Sequence, residues 1–466
     1  YITKEVNKVV FSSILFIFRF LPIAMGIYFL TPKKLKNLSL LILSLIFYSW
    51  GEPRYFLLMI ASIFVDYFIS INIEKNNKNK KIKILLLAIS IIFNVGILFF
   101  FKYINFFIEN INSIFNMSLN NVKITLPLGI SFYTFQTMSY TIDVFLGKVK
   151  AEKNIINFGA FVCLFPQLIA GPIVKYIDIS KELKNRDINL DEIQEGIRLF
   201  ILGLGSKILI ANNIGSLWNE VETMGFNNIS TILAWMGIIA FSLQIYFDFN
   251  GYSLMAIGLG KILGFNFPNN FNYPYESRSI TEFWRRWHIT LGQWFKQYVY
   301  IPLGGNRLGR ARTYFNLFIV WFLTGLWHGA SYNFILWGLY FFILICIEKN
   351  GLLNLLNKHK LISHIYTIFF ILVGWVLFAV IDLNQIINFL KKMFIFNAGN
   401  EWIYYLRNYI ITYTIAIIFS TSFLKKIYNK FVKSNIVDTI ILITIFLLSI
   451  AYLVDSSYNP FLYFRF

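Results

Sequence analysis

The chain has 466 residues, of which 57% are hydrophobic and only 14% charged, with 51 phenylalanines and a mean hydropathy of +0.61. That usage excludes an ordinary soluble domain and points to a polytopic membrane protein. The formal charge of +19 does not mark a nucleic-acid binder, because the basic residues gather between apolar runs, as the positive-inside rule requires.

Apolar runs long enough to approach the ~20 residues of a membrane-crossing helix predict spans near 10–30, 37–50, 54–73, 82–101, 128–146, 193–212, 229–258, 313–327, 332–347, 361–381, 408–423 and 435–453. The first run lacks a small-residue cleavage pattern and reads as a retained span rather than a signal peptide. The run at 155–173 carries Pro166, Gly171 and Pro172, so a broken or re-entrant element is expected there. The fold class is therefore all-α, with about 11–12 spans. No soluble domain, repeat or phosphate-binding glycine loop interrupts it, and residues 1–466 read as one integral-membrane domain with an aromatic tail at 458–466.

Basic clusters orient the spans. Lys33, Lys34 and Lys36, the stretch Lys75 to Lys83, then Lys148, Lys150 and Lys153, and finally Lys425, Lys426, Lys430 and Lys433 flank apolar segments. With 74–83 in the cytoplasm, parity places 213–228 outside and 262–312, which holds Arg278, Arg285, Arg286 and Arg307, inside. The tail after Val454 falls outside. The loop 382–407 also falls outside despite Lys391, Lys392 and Arg407. Cys163 and Cys346 have no nearby His or Cys and read as small buried hydrophobes.

Chemistry concentrates in a few segments. Pro127 to Gln136 and Pro166 to Pro172 set Ser131, Tyr133, Gln136 and Gln167 among helix breaks, a pattern that packing alone also explains. In Tyr246-Phe-Asp248-Phe-Asn250-Gly251 an acid lies in a long apolar run. A buried carboxylate needs a partner; an arginine of the 278–286 group or a histidine is expected, and the plain reading is a helix-to-helix hydrogen bond. From Phe283 to Tyr298, aromatic residues recur at three- and four-residue spacing with Arg285, Arg286 and Lys296 on other faces. This predicts an interfacial amphipathic helix. Its cations either grip lipid headgroups or line a cytoplasmic opening suited to a phosphorylated carrier such as coenzyme A. Finally, Trp327-His328-Gly329 and Asn333 place one imidazole at membrane depth, where an ionisable group is costly and by default functional.

Taken in order, seven of these segments resemble the membrane-bound O-acyltransferase family: Pro127 to Gln136, Phe165 to Pro172, Tyr246 to Ser253, Phe271 to Tyr275, Phe283 to Leu291, Tyr300 to Arg307 and Gly325 to Ala330. The resemblance runs along almost the whole chain and is nearest to the bacterial alginate and peptidoglycan O-acetyltransferases, with the D-alanine transferase of teichoic acid synthesis more distant. It implies spans with re-entrant and interfacial helices around a central tunnel, in a bacterial plasma membrane. The implied activity is transfer of acetyl from acetyl-coenzyme A, with no metal, to a cell-wall or exopolysaccharide acceptor outside.

His328 matches the family's essential histidine and His288 its second motif histidine. Trp284, Arg285, Arg286, Trp327, Asp248, Asn250, Gln136 and Asn333 are the expected substrate-binding residues. The tail Phe461-Leu-Tyr463-Phe-Arg-Phe466 reads on composition as an interfacial aromatic belt. By resemblance it matches a terminal motif in which a tyrosine is a proposed acyl acceptor, making Tyr463 a third catalytic candidate. A separate SGNH-type protein is the implied partner. The Ile-, Lys- and Asn-rich usage suggests a low-GC bacterium, for which peptidoglycan or a secondary wall polymer is expected before alginate. The alternatives are D-alanyl transfer from a carrier protein, a transporter or flippase, which would more often show duplicated halves, and a scaffold for an external enzyme.

Overall fold

The structure is a computed structural model and describes residues 10–168, 171–431, 434–455 and Leu462. Among these there is no β-strand, and each apolar run read as a span overlaps a helix, the 408–423 run being interrupted between helices Glu401–Phe419 and Phe423–Phe431. Among the described residues seven helices, fewer than the 11–12 spans expected, are long and apolar enough to cross a membrane: Phe56–Lys75, Lys80–Phe115, Leu190–Met224, Thr231–Ile262, Tyr332–Leu356, Lys360–Ala379 and Asn435–Asp455. The protein is thus an all-α, multi-pass membrane protein. Two compact units divide the chain, one of residues 1–200 with 253–268 and the other of 201–252 with 269–466.

In the first unit, polar side chains at membrane depth satisfy one another. Asp66 is fully buried and accepts from Ser90 Oγ at 2.5 Å, Asn94 Nδ2 at 2.8 Å and Thr141 Oγ1 at 3.3 Å, which ties three helices together. The 155–173 run is broken, as its prolines require. Helix Ile155–Cys163 ends at Leu164, and a single turn, Phe165–Leu168, follows. Ahead of helix Ile130–Phe145, Gly129 adopts φ +71°, and a Cβ there would collide with the Leu168 carbonyl, so only glycine serves.

The second unit is built on a helical hairpin, Gly309–His328 and Tyr332–Ile347. Its arms meet through small residues, because a Cβ on Gly325 would strike the Phe334 carbonyl and one on Gly338 the Trp321 carbonyl. Close backbone approach of this kind is how helices associate in lipid. Around the hairpin lies an aromatic core that includes Phe283, Trp287, Trp321, Trp337, Phe341, Trp375 and Phe378.

One expectation fails here. The aromatic periodicity from Phe283 to Tyr298 predicts a single helix, yet helix Ile280–Arg286 stops and Ile289–Phe295 begins anew, with His288 at φ +45° between them. The break is held by the neighbouring 270–272 segment, which supplies the hydrogen bonds that a continuous helix would make. Ile289 N–H donates to the Asn270 carbonyl at 2.9 Å, and the Arg286 carbonyl accepts from Asn272 N–H at 2.9 Å.

Candidate active site

The break turns His288 inward. Its side chain is 3% exposed, and Nδ1 lies 3.1 Å from Asn270 Oδ1. That same oxygen accepts from Thr290 Oγ1 at 2.9 Å and from Thr290 N–H at 3.3 Å. Since Asn270 presents an acceptor, Nδ1 must carry the proton, which leaves the Nε2 lone pair bare. Among the described residues nothing donates to Nε2. Burial holds this imidazole neutral by pulling its pKa down to about 3. So low a proton affinity suits an orienting acceptor better than a proton carrier.

His328 closes the first arm of the hairpin and is 9% exposed. Aromatic rings wall it on several sides, with centroids at 4.9 Å for Trp337, 5.0 Å for Trp327 and 5.1 Å for Phe378. The Trp327 ring also faces His288, at 5.8 Å. The two histidines line one cavity of about 160 Å³, together with Trp284, Trp287, Leu291, Phe295, Trp321 and Thr324. This is well below the ~300–1,000 Å³ of pockets for drug-sized ligands. A short group fits that volume. On its wall are one bare acceptor, His288 Nε2, and one buried donor, the Trp284 indole N–H, which has no partner among the described residues.

A second, polar cavity of about 560 Å³ is lined by Glu276, Arg278, Ser279, Glu282, Arg286, Asn357, His364, Ser422 and Lys426. Its carboxylates are engaged locally. Glu282 Oε1 pairs with Arg286 at 2.8 Å, and Glu276 accepts from Ser422 N–H and Oγ at 2.7 Å each. The volume is in the range for a drug-sized ligand, and the Arg278 and Lys426 heads suit an anionic one, Arg286 being paired with Glu282.

The structure brings His288, His328, Trp284 and Trp327 together and sends the other expected residues elsewhere. Arg285 is exposed and lines neither cavity, while Arg286 lines the polar one. Asn333 donates to the Leu377 and Phe378 carbonyls at 3.2 and 3.4 Å, joining two helices. Asn250 is half-buried and outside both cavities. In the first unit, Gln136 is fully buried, and its amide has no hydrogen-bond partner among the described residues. Tyr463 lies outside the described residues. Asp248 is buried, as its setting requires, but its partner is Lys207 at 2.7 Å rather than an arginine or a histidine. Lys207 is not legible in the sequence as an anchor beyond being a lone charge within an apolar helix, and neither is Glu348, which accepts from Ile280 N–H at 2.6 Å. Among the described residues no group of three or more His, Cys, Asp or Glu side chains is placed to hold a metal ion. Cys163 and Cys346 are both free thiols.

Residues 148–381 match the profile of the MBOAT, membrane-bound O-acyltransferase family. The chain is 42% identical over 374 residues to a probable alginate O-acetylase AlgI of Pseudomonas syringae, covering 79% of this chain and 72% of that protein. It is 35% identical over 428 residues to the peptidoglycan O-acetyltransferase of Helicobacter pylori, covering 84% and 80% respectively. With the teichoic acid D-alanyltransferase of Bacillus subtilis it shares 29% identity over 231 residues, 47% of this chain and 58% of the other. The chain belongs to the membrane-bound O-acyltransferase family and is a multi-pass membrane acyltransferase.

Proposed function

We propose that this acyltransferase moves acetyl from acetyl-coenzyme A, taken up on the cytoplasmic side of a bacterial plasma membrane, towards a cell-wall or exopolysaccharide acceptor on the outer side. The observation that carries the reading is the single small cavity shared by His288 and His328. An acetyl thioester end fits it, and exclusion of water protects the thioester from hydrolysis. The anionic part of coenzyme A is suited to the polar cavity lined by Arg278, Arg286 and Lys426.

In the proposed chemistry the phenol oxygen of Tyr463 attacks the thioester carbonyl carbon. His328 takes the phenol proton as the new C–O bond forms, and the C–S bond breaks as the proton is returned to the departing thiolate. His288 Nε2, neutral and unprotonated, orients the reacting group. The tyrosyl ester keeps transfer potential, and an SGNH-type partner outside passes the acetyl group to a polysaccharide or peptidoglycan hydroxyl. The whole chain, 1–466, works as one catalytic domain in this scheme.

D-alanyl transfer is the second reading, since the cavity volume admits that small acyl group as well. Acetyl is favoured because the relatives named for O-acetylation match over about four-fifths of this chain and the D-alanyl relative over 47%. The test is to supply membranes with labelled acetyl-coenzyme A and compare the parent with His328→Ala and Tyr463→Phe. Label on Tyr463 that disappears in both variants is the expected result. Full activity in Tyr463→Phe would replace the relay by direct transfer, and absence of any histidine-dependent label or product would overturn the acetyl-coenzyme A reading.

A further inference from the structure

Lys207 and Asp248 form an ion pair whose side chains are 1% and 3% exposed. They stand on helices Leu190–Met224 and Thr231–Ile262, whose backbones come close at glycine. A Cβ on Gly251 would press on the Gly203 carbonyl and on the backbone of Lys207. One helical turn from that contact, the ammonium reaches Asp248 Oδ1. Desolvation offsets much of the attraction within such a buried pair, so the pair is a poor source of stability. Its use is better read from the other carboxylate oxygen.

Asp248 Oδ2 accepts the backbone N–H of Leu462 at 2.9 Å, across 214 positions of sequence. Leu462 is itself 3% exposed and belongs to the buried cluster containing Tyr246, Phe247, Trp337 and Phe378. Trp337 and Phe378 are two of the rings packed on His328. Both carboxylate oxygens are therefore engaged within the protein. That makes Asp248 a poor substrate ligand and a good anchor.

We infer that the Lys207–Asp248 pair is a clasp for the C-terminal segment: Lys207 balances and orients the carboxylate, and the carboxylate fixes the chain at Leu462, the residue before Tyr463. Both act as positioning residues. The clasp itself stands on the contacts above, and only its consequence for acyl loading rests on the proposed tyrosine relay.

Two double variants separate a clasp from a merely structural pair. K207M/D248N removes both charges and keeps a carbonyl oxygen to accept the Leu462 N–H, whereas K207M/D248L removes the acceptor too. Amide exchange of a peptide containing Leu462 should be at least tenfold faster in the D248L protein than in the D248N protein. Label on Tyr463 from acetyl-coenzyme A should be at least tenfold lower, with melting temperatures of the two variants alike. Should the D248L protein fail to accumulate, Leu462→Pro removes the N–H together with the leucine side chain, leaves the ion pair intact and should lose label to a similar degree, while Leu462→Ala, which shortens the side chain and keeps the N–H, should keep most of it. Equal exchange in the two double variants, or retained label in Leu462→Pro, overturns the clasp. If the exchange difference holds while even the parent takes no label on Tyr463, the clasp stands and the relay fails.

Discussion

At the scale of single residues, the two histidines differ in what surrounds their nitrogens. His288 Nδ1–H donates a hydrogen bond to Asn270 Oδ1, and burial keeps the ring neutral, with its pKa lowered to about 3. The unfolded ring has an ordinary value of about 6.5. Between those values the unfolded chain binds a proton that the folded chain refuses. The stability this ring confers is therefore fully present above about pH 6.5 and is lost as the pH falls towards 3, at about 1.4 kcal/mol per pH unit. Melting of the detergent-solubilised protein should show this acid slope, and His288→Leu should flatten it by that amount. An unchanged slope would mean that the ring accepts a proton in the folded state. A charged His288 would then compete with the orienting role assigned to its bare nitrogen.

At the scale of elements, the position of the 280–286 helix depends on a carboxylate from another helix. Glu348 is fully buried and accepts from Ile280 N–H at 2.6 Å, Thr281 N–H at 2.8 Å and Thr281 Oγ1 at 2.6 Å. Ser279 Oγ adds a cap to Glu282 N–H at 3.0 Å. Negative charge at a helix N-terminus, with its otherwise unpaired donors satisfied, holds that end in place. Glu348→Ala should cost about 2–3 kcal/mol by leaving those donors buried and unpaired, and Glu348→Gln distinctly less, both read by melting. Faster amide exchange over 280–288 should accompany the loss.

This element also shows where reading the sequence stops. Trp327-His328-Gly329 was legible because membrane depth makes a lone imidazole conspicuous, and the spans were legible from their apolar length. The break at His288 was not, because the aromatic spacing runs through it and the hydrogen bonds that sustain it come from Asn270 and Asn272. Lys207 and Glu348 were illegible for a similar reason. Each meets its partner only after two helices have packed, and periodicity along one helix says nothing about the other.

At the scale of the whole molecule, the proposed acyl transfer from one side to the other requires a definite orientation. The charge pattern predicts it. The segment 213–228, which ends the helix Leu190–Met224 and runs on past it, has no Lys or Arg and is expected outside, whereas 74–83 and 262–312 are basic and expected inside. Asn227, Asn77 and Arg307 are exposed at these three places, so cysteines introduced there are reachable by a thiol reagent that cannot cross the bilayer. Cys346 is half-buried and is first replaced by alanine, while Cys163 is buried. In spheroplasts Asn227→Cys should be labelled, and Asn77→Cys and Arg307→Cys should react only after the membrane is opened. Residues 382–407 are the stringent case, because parity puts them outside while Lys391, Lys392 and Arg407 favour the cytoplasm. Phe396, between helices Leu383–Phe394 and Glu401–Phe419, is 78% exposed, and Phe396→Cys should react from outside if parity governs. Reaction only from within would shift one span of the second unit, turn the segment after Val454 to the cytoplasm, and remove the outward delivery that the tyrosine relay requires.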